Sequence, residues 1–108
     1  QKRALTALKP GKPLKKVDEA ARLYIEKQGY KKYFKHGTGH GIGLAVHEPP
    51  RISLLSKDTA LEGMVVTIEP GIYLPGWGGV RIEDTAIVAQ NGAEIITQTD
   101  KALTVLEC

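Results

Sequence analysis

The periodicity of the sequence changes after Phe34, and this change limits the fold more than any other feature. Before Phe34, apolar residues recur at helical spacing, namely Val17, Ala20, Ala21, Tyr24 and Ile25. After Phe34, short apolar runs are separated by glycine, proline and Asn-Gly turn signals. Two helices followed by several strands with short turns predict an α+β fold, with helices packed on a mostly antiparallel sheet.

Glycine and proline mark the predicted ends of these elements. Residues 1–9 are typical of a helix that stops before Pro10-Gly11, and Gly29 should end the second helix. The alternation of apolar residues over 42–46 predicts a strand with one buried face. Pro49-Pro50 should end that strand.

Two more strands and a turn are predicted further along the chain. Residues 64–68 form a strongly apolar run, and residues 80–89 form a second one. Asn91-Gly92 predicts a hairpin turn into a last strand. The order of these elements shows no internal repeat and no domain boundary.

The chain length and composition describe a single globular unit. The chain has 108 residues and is 42% hydrophobic, which suits one domain or one piece of a larger domain. No apolar run approaches the length of a membrane span.

The start at Gln1 rather than Met indicates a cut or processed piece. Cys108 is the only cysteine, so no internal disulfide can form, and we expect a reducing, cytoplasmic location.

The charges are unevenly distributed along the chain. Residues 1–36 hold eleven Lys or Arg and three acids, and residues 37–108 hold four Lys or Arg and nine acids. The basic part could be a nucleic-acid patch or simply solvated helix faces. The second interpretation is favoured because few aromatic residues lie among the lysines and no nucleic-acid motif is present. We expect neither a nucleic-acid nor a membrane partner.

All three histidines of the chain lie in the stretch HGTGHGIGLAVHEPP, residues 36–50. They are His36, His40 and His47. Such clustering indicates a site, and the glycines around His40 would let backbone or substrate approach its ring.

Two glutamates in apolar strands could complete that site. Glu69 should share a strand face with Thr67, and Glu83 should share one with Arg81 and Thr85. A buried carboxylate is costly unless it is paired or binds a metal, and imidazole with carboxylates suits Mn, Co, Fe or Zn. Ordinary ion pairs with Arg81 or Arg51 are the alternative, and the residues alone leave both open.

Three sequence blocks resemble one family. The strings HGTGHGIGLAVHEPP, LEGMVVTIEPGIY and GGVRIEDTAIV resemble, in this order, the C-terminal signature blocks of the pita-bread metallopeptidases. That family includes methionine aminopeptidase, Xaa-Pro aminopeptidase and Xaa-Pro dipeptidase (prolidase), and PGIY and GGVRIED resemble its proline-directed branch. The resemblance implies half of a pita-bread (creatinase/aminopeptidase-like) fold, with residues 1–108 forming the C-terminal half of the catalytic domain.

The resemblance also implies three metal ligands. His40 matches the family's metal-binding histidine, Glu69 the glutamate that binds one metal, and Glu83 the glutamate that bridges two. The implied cofactors are two divalent ions, manganese or cobalt, or alternatively zinc. The implied reaction is metal-assisted hydrolysis.

Four residues take catalytic roles by the same resemblance. His36 and His47 match histidines that line the substrate pocket and stabilise the reacting carbonyl. Glu69 matches the carboxylate that relays a proton, and Arg81 matches an arginine that orients the site.

Two aspartate ligands of the family have no match in this chain. In the family they precede the first histidine block, whereas Asp18 lies at a predicted helix start, Asp58 and Asp100 in predicted turns, and Asp84 beside Glu83. We therefore expect an incomplete or empty metal site, and an inactive chain, when it is taken alone. Half of a fold also exposes sheet edges and apolar surface, which predicts a homodimer.

The predicted activity is that of an Xaa-Pro peptidase. It would hydrolyse the bond between an N-terminal residue and proline, in an Xaa-Pro dipeptide or in a peptide with proline in second position. The alternative is a non-catalytic pita-bread domain that binds peptides or proteins. The presence of His40, Glu69 and Glu83 favours the enzyme.

Overall fold

The computed structural model describes residues 1–107, so Cys108, on which the prediction of a reducing compartment depends, lies outside the described residues. The helices are α1 (Lys2–Ala7) and α2 (Leu14–Lys27), followed by a 3-10 turn at Lys31–Tyr33. The strands are β1 (Gly39–Gly41), β2 (Glu48–Ile52), β3 (Val65–Ile68), β4 (Gly71–Leu74), β5 (Gly78–Arg81), β6 (Asp84–Ala89) and β7 (Gly92–Ile95).

The two helices end where the sequence predicts. α1 stops before Pro10-Gly11. Beyond α2, Gly29 adopts a positive φ of 85°, and its N–H donates to the carbonyl oxygen of Glu26 at 2.9 Å. This left-handed glycine is a common helix stop. No helix within residues 1–107 is both long enough and apolar enough to cross a membrane.

The strands form one large and one small antiparallel sheet. The large sheet has the order β2-β1-β3-β6-β7, and the small sheet pairs β4 with β5. The Asn91-Gly92 turn joins β6 to β7 as predicted, with Ala89 opposite Gly92. The predicted arrangement of helices on an antiparallel sheet is therefore confirmed.

One cluster of buried apolar side chains joins the helices to the large sheet. Its fully buried members include Leu8, Leu14, Val17, Ile52, Val66, Ile68 and Val88. On β3, Val66 and Ile68 belong to this core, while Thr67 between them is buried on the opposite side of the strand. Both faces of β3 are therefore covered from Val66 to Ile68, and Glu69 follows the strand outside this apolar core.

The predicted strand over residues 42–46 is wrong. β1 ends at Gly41, and the chain then forms a series of bends that leave Ile42, Leu44 and Val46 exposed. The pairing of β1 with β2 also shifts its register between His40 and Gly41. Alternating apolar residues form a strand only where a partner strand pairs with them, and here none does among the described residues.

The predicted end of that strand at Pro49-Pro50 is also wrong. Both prolines lie inside β2, and the peptide bond between them is cis. β2 is an edge strand of the large sheet. The prolines fall where the register shifts, between the pairs His40–Arg51 and Gly41–Glu48, and edge strands and bulges are the places in a sheet that tolerate proline.

The run over residues 80–89 forms two strands rather than the predicted single one. β5 pairs with β4 in the small sheet, and β6 pairs with β3 and β7 in the large sheet. Ile82 and Glu83 connect the two. Arg81 and Glu83 therefore do not share one strand face, because the chain changes sheets between them.

Candidate active site

His40 and Glu69 lie side by side because β1 pairs with β3. The two strands are antiparallel, with Gly41 opposite Val66. A Cβ at Gly39 would overlap the backbone carbonyl oxygen of Thr67, so only glycine permits this close approach. The N–H of Glu69 donates to the carbonyl oxygen of Thr38 at 2.6 Å, which fixes the end of β3 against the histidine stretch.

The side chains of His40 and Glu69 face each other. His40 Nε2 lies 3.0 Å from Glu69 Oε1, and each side chain is 15% exposed. On the other side of the ring, His40 Nδ1 lies 2.8 Å from the carbonyl oxygen of Gly41. A carbonyl oxygen only accepts, so Nδ1 must carry the proton.

This orientation fits a metal ligand. With its proton on Nδ1, a neutral ring points the lone pair of Nε2 at a carboxylate oxygen, and two acceptors need a proton or a cation between them. Metal-binding histidines usually donate their other ring N–H to a carbonyl or carboxylate, as His40 does to Gly41. The pair thus fits part of a metal site.

Glu83 is not gathered with this pair. It lies exposed in the connection between β5 and β6. Among residues 1–107, no group of three or more His, Cys, Asp or Glu side chains is placed to hold a metal ion. His40 and Glu69 are therefore the two predicted ligands that the structure brings together.

His47 lies against His40 at the mouth of the site. The ring centroids are 4.5 Å apart and the planes meet at 67° in an edge-on contact. His47 is exposed and precedes β2 directly. In the next residue, the carboxylate of Glu48 accepts the N–H of Ala45 at 2.8 Å, which closes the bend before β2.

His36, Tyr73 and Arg81 form a second polar group beside the pair. His36 Nδ1 donates to the carbonyl oxygen of Gly37 at 2.7 Å, so its Nε2 accepts from the Tyr73 hydroxyl at 2.9 Å. Arg81 Nη1 lies 3.5 Å from the same hydroxyl, and its Nε lies 3.9 Å from Glu69 Oε2. The hydrogen bond to Tyr73, with the charge of Glu69, raises the pKa of Arg81 above its ordinary value.

A cavity of about 380 Å³ opens over the three histidines and Glu69. It is lined by residues of the histidine stretch and its neighbours, including His36, His40, His47, Arg51 and Glu69. Arg51 was considered from the sequence only as an ion-pair partner of the glutamates. The structure places it on β2 directly opposite His40, where it adds positive charge to the cavity wall.

A buried ion pair that the sequence analysis overlooked holds the first histidine in place. Asp18 lies inside α2 rather than at its start and is fully buried. It accepts from Arg22 at 2.7 and 3.0 Å, and from the N–H and hydroxyl of Thr38 at 3.1 and 2.9 Å. Arg22 also donates to the carbonyl oxygens of Phe34 and His36 at 2.9 and 2.8 Å. The i to i+4 spacing of Asp18 and Arg22 was the available sequence signal.

Comparison with known proteins decides the family. The model of metallopeptidase family M24 matches residues 1–90. This chain belongs to metallopeptidase family M24. The predicted resemblance is confirmed, and membership of a metallopeptidase family implies metal ions as cofactors.

Similar proteins include Xaa-Pro dipeptidases and an X-Pro aminopeptidase. An Xaa-Pro dipeptidase from Pyrococcus furiosus is 53% identical over 95% of this chain and 30% of its own length. A solved Xaa-Pro dipeptidase from Bacillus anthracis is 48% identical, with a TM-score of 0.93 over 96% of this chain and 29% of that one. A solved X-Pro aminopeptidase from Thermotoga maritima is 43% identical, with a TM-score of 0.93 over 97% of this chain and 30% of that one.

These matches confirm the predicted fold class. The backbone follows the solved prolidase-type structures closely, as half of a pita-bread fold should. The chain spans about 30% of the length of the relatives that it matches.

Proposed function

We propose that residues 1–108 form the C-terminal half of the catalytic domain of an Xaa-Pro metallopeptidase. The observation that carries the proposal is the contact of His40 Nε2 with Glu69 Oε1 at 3.0 Å, with Nδ1 already engaged by Gly41. The relatives described above are Xaa-Pro dipeptidases and an X-Pro aminopeptidase, so the proposed substrates are Xaa-Pro dipeptides and peptides with proline in second position.

In this proposal His40, Glu69 and Glu83 hold divalent metal, manganese or cobalt. The aspartate ligands come from the part of the domain outside this chain. The metal, when bound, polarises the scissile carbonyl and lowers the pKa of water. Glu69 also accepts and returns a proton, and Arg81 keeps a positive charge beside Glu69 Oε2.

The geometry supports different roles for the two remaining histidines. Both ring nitrogens of His36 are engaged, by Gly37 and Tyr73. Within residues 1–107, the structure gives neither ring nitrogen of His47 a hydrogen-bond partner, and its exposed ring touches His40. We therefore assign to His47 the hydrogen bond to the developing oxyanion, and to His36 the positioning of Tyr73 and the pocket wall.

The test uses the complete protein that contains this chain. We expect hydrolysis of an Xaa-Pro dipeptide, little hydrolysis of the matched Xaa-Ala dipeptide, loss of activity on chelation, and recovery with Mn²⁺ or Co²⁺. Glu69→Gln should lower kcat/KM by about 10²–10⁴-fold, because a proton carrier and metal ligand is lost. Glu62→Gln, an exposed carboxylate outside the cavity, is the matched control and should leave kcat/KM unchanged.

Two results would contradict the proposal. Hydrolysis that survives chelation and Glu69→Gln would exclude a metallopeptidase built on this pair. Binding of Xaa-Pro peptides without hydrolysis, at saturating metal, would favour a non-catalytic peptide-binding domain.

The exposed apolar side chains support a proposal about this chain alone. Leu44, Val46, Leu55 and Trp77 are each at least 79% exposed. Such surface favours association, so we expect the isolated 108-residue chain to form a homodimer without Xaa-Pro hydrolysis. Static light scattering at micromolar concentration measures this, and a monomeric mass would contradict it.

A further inference from the structure

The hydroxyl of Thr67 connects the two halves of the His40–Glu69 pair. It accepts the backbone N–H of His40 at 3.0 Å and donates to Glu69 Oε1 at 2.9 Å. Oε1 is the same oxygen that faces His40 Nε2. One side chain on β3 therefore contacts the histidine backbone on β1 and the carboxylate beyond the end of its own strand.

The single hydroxyl proton has one good acceptor. The carbonyl oxygen of His40 lies 3.5 Å from Thr67 Oγ1, at the limit of a hydrogen bond, while Glu69 Oε1 lies at 2.9 Å. The proton therefore goes to the carboxylate. A hydrogen bond to an ionised acceptor is the stronger kind, and it holds Oε1 in one direction.

Burial makes this hydroxyl hard to replace. Thr67 is 4% exposed, and a Cβ on Gly39 would already overlap its carbonyl oxygen, so the strands leave little room here for water. Loss of the hydroxyl would leave the N–H of His40 without its acceptor. It would also free the Glu69 carboxylate to rotate away from His40.

We propose that Thr67 is a positioning residue that holds Glu69 Oε1 toward His40 Nε2 and thereby sets the affinity of the site for divalent metal. The inference rests on the proposed function, because it takes His40 and Glu69 as metal ligands. Partners of this kind typically change metal affinity by about 10–100-fold when they are lost.

The decisive comparison uses Thr67→Val and Thr67→Ser in the complete protein. Valine keeps the branched shape and removes the hydroxyl, whereas serine keeps the hydroxyl and removes the methyl group. Thr85→Val is the matched control, because Thr85 lies directly opposite Thr67 on β6. If Thr67→Val does not fold, Thr67→Ala replaces it in the comparison with serine.

Calorimetric titration with Mn²⁺ gives the first readout. We expect the Kd to rise about 10–100-fold in Thr67→Val and to stay near the unsubstituted value in Thr67→Ser and Thr85→Val. Crystal structures of the unsubstituted protein and of Thr67→Val, both metal-free, give the second, and Glu69 Oε1 should have left His40 Nε2 only in the variant.

The outcomes separate this inference from the proposed function. An unsubstituted protein that binds no Mn²⁺ overturns the proposed function and this inference with it. Normal binding by the unsubstituted protein and an equal Kd in Thr67→Val overturn this inference alone, as does a carboxylate that stays in place in the crystal. A fall in thermal stability with no change in Kd would show that the role of Thr67 is purely structural.

Discussion

Replacing Arg22 with methionine should lower the free energy of unfolding of this chain by about 3–5 kcal/mol. The substitution keeps an unbranched stem of similar length and removes the charge. Asp18 would then remain fully buried with only Thr38 to accept from. An unpaired buried carboxylate carries the full cost of leaving water, which is why removing one partner costs more than the pair itself contributes.

The same substitution should loosen the histidine loop. Arg22 donates to the carbonyl oxygens of Phe34 and His36, and its guanidinium lies 4.1 Å from the centre of the Phe34 ring. Without these contacts α2 holds the segment that carries His36 only through Asp18 and Thr38. The loss of stability and the loss of site geometry therefore have one cause.

Urea unfolding of the 108-residue chain, followed by circular dichroism, measures the effect. Lys16→Met is the matched control, because it also removes a cation from α2. Lys16 pairs with Glu19 at 2.7 Å on the exposed side of the helix, where an ion pair contributes little. Equal effects of the two substitutions would show that the buried pair has no special importance.

Replacing Gly39 with alanine should cost about 3 kcal/mol, the upper end of the range for overpacked sites. The new methyl group would overlap the backbone carbonyl oxygen of Thr67, and a strand backbone cannot rotate away as a side chain can. β1 would have to separate from β3. His40 and Glu69 would separate with the strands, so metal binding by the complete protein should fall as well.

Gly43→Ala is the control for that prediction. A methyl group there would meet only the carboxylate of Glu48, which is the end of a flexible side chain and can move at the cost of its hydrogen bond from Ala45. We expect a much smaller change in the urea midpoint for Gly43→Ala than for Gly39→Ala. A similar change in both would mean that the close approach of β1 to β3 does not limit this position.

The sequence predicts elements well where local signals and packing agree. α2 has an apolar face at helical spacing and a glycine stop, and β6 and β7 flank an Asn-Gly turn, so these predictions are confirmed. The alternation at residues 42–46 has the right pattern for a strand, but no neighbouring strand pairs with it among the described residues. Pairing is a property of the whole sheet and is not visible in five residues.

The candidate site was also predicted correctly only in part. Because side chains alternate between the two faces of a strand, the sequence predicts that Thr67 and Glu69 share one face, and the hydrogen bond between them confirms this prediction. The prediction that Arg81 and Glu83 share one strand face is wrong, because the chain leaves one sheet and enters another between them. The buried pair of Asp18 and Arg22 was missed, because a charged i to i+4 pair on a helix is usually exposed.

The change of sheets at Ile82 and Glu83 also separates the two predicted glutamate ligands structurally. Glu69 follows the last residue of β3 in the large sheet, which the core anchors, and Glu83 stands where the chain returns from the small sheet. The two chain connections near Pro70 and Ile82 join these sheets. No pair of strands joins the two glutamates, so their separation is set by how the small sheet packs on the core through Ile72 and not by the spacing of neighbouring strands.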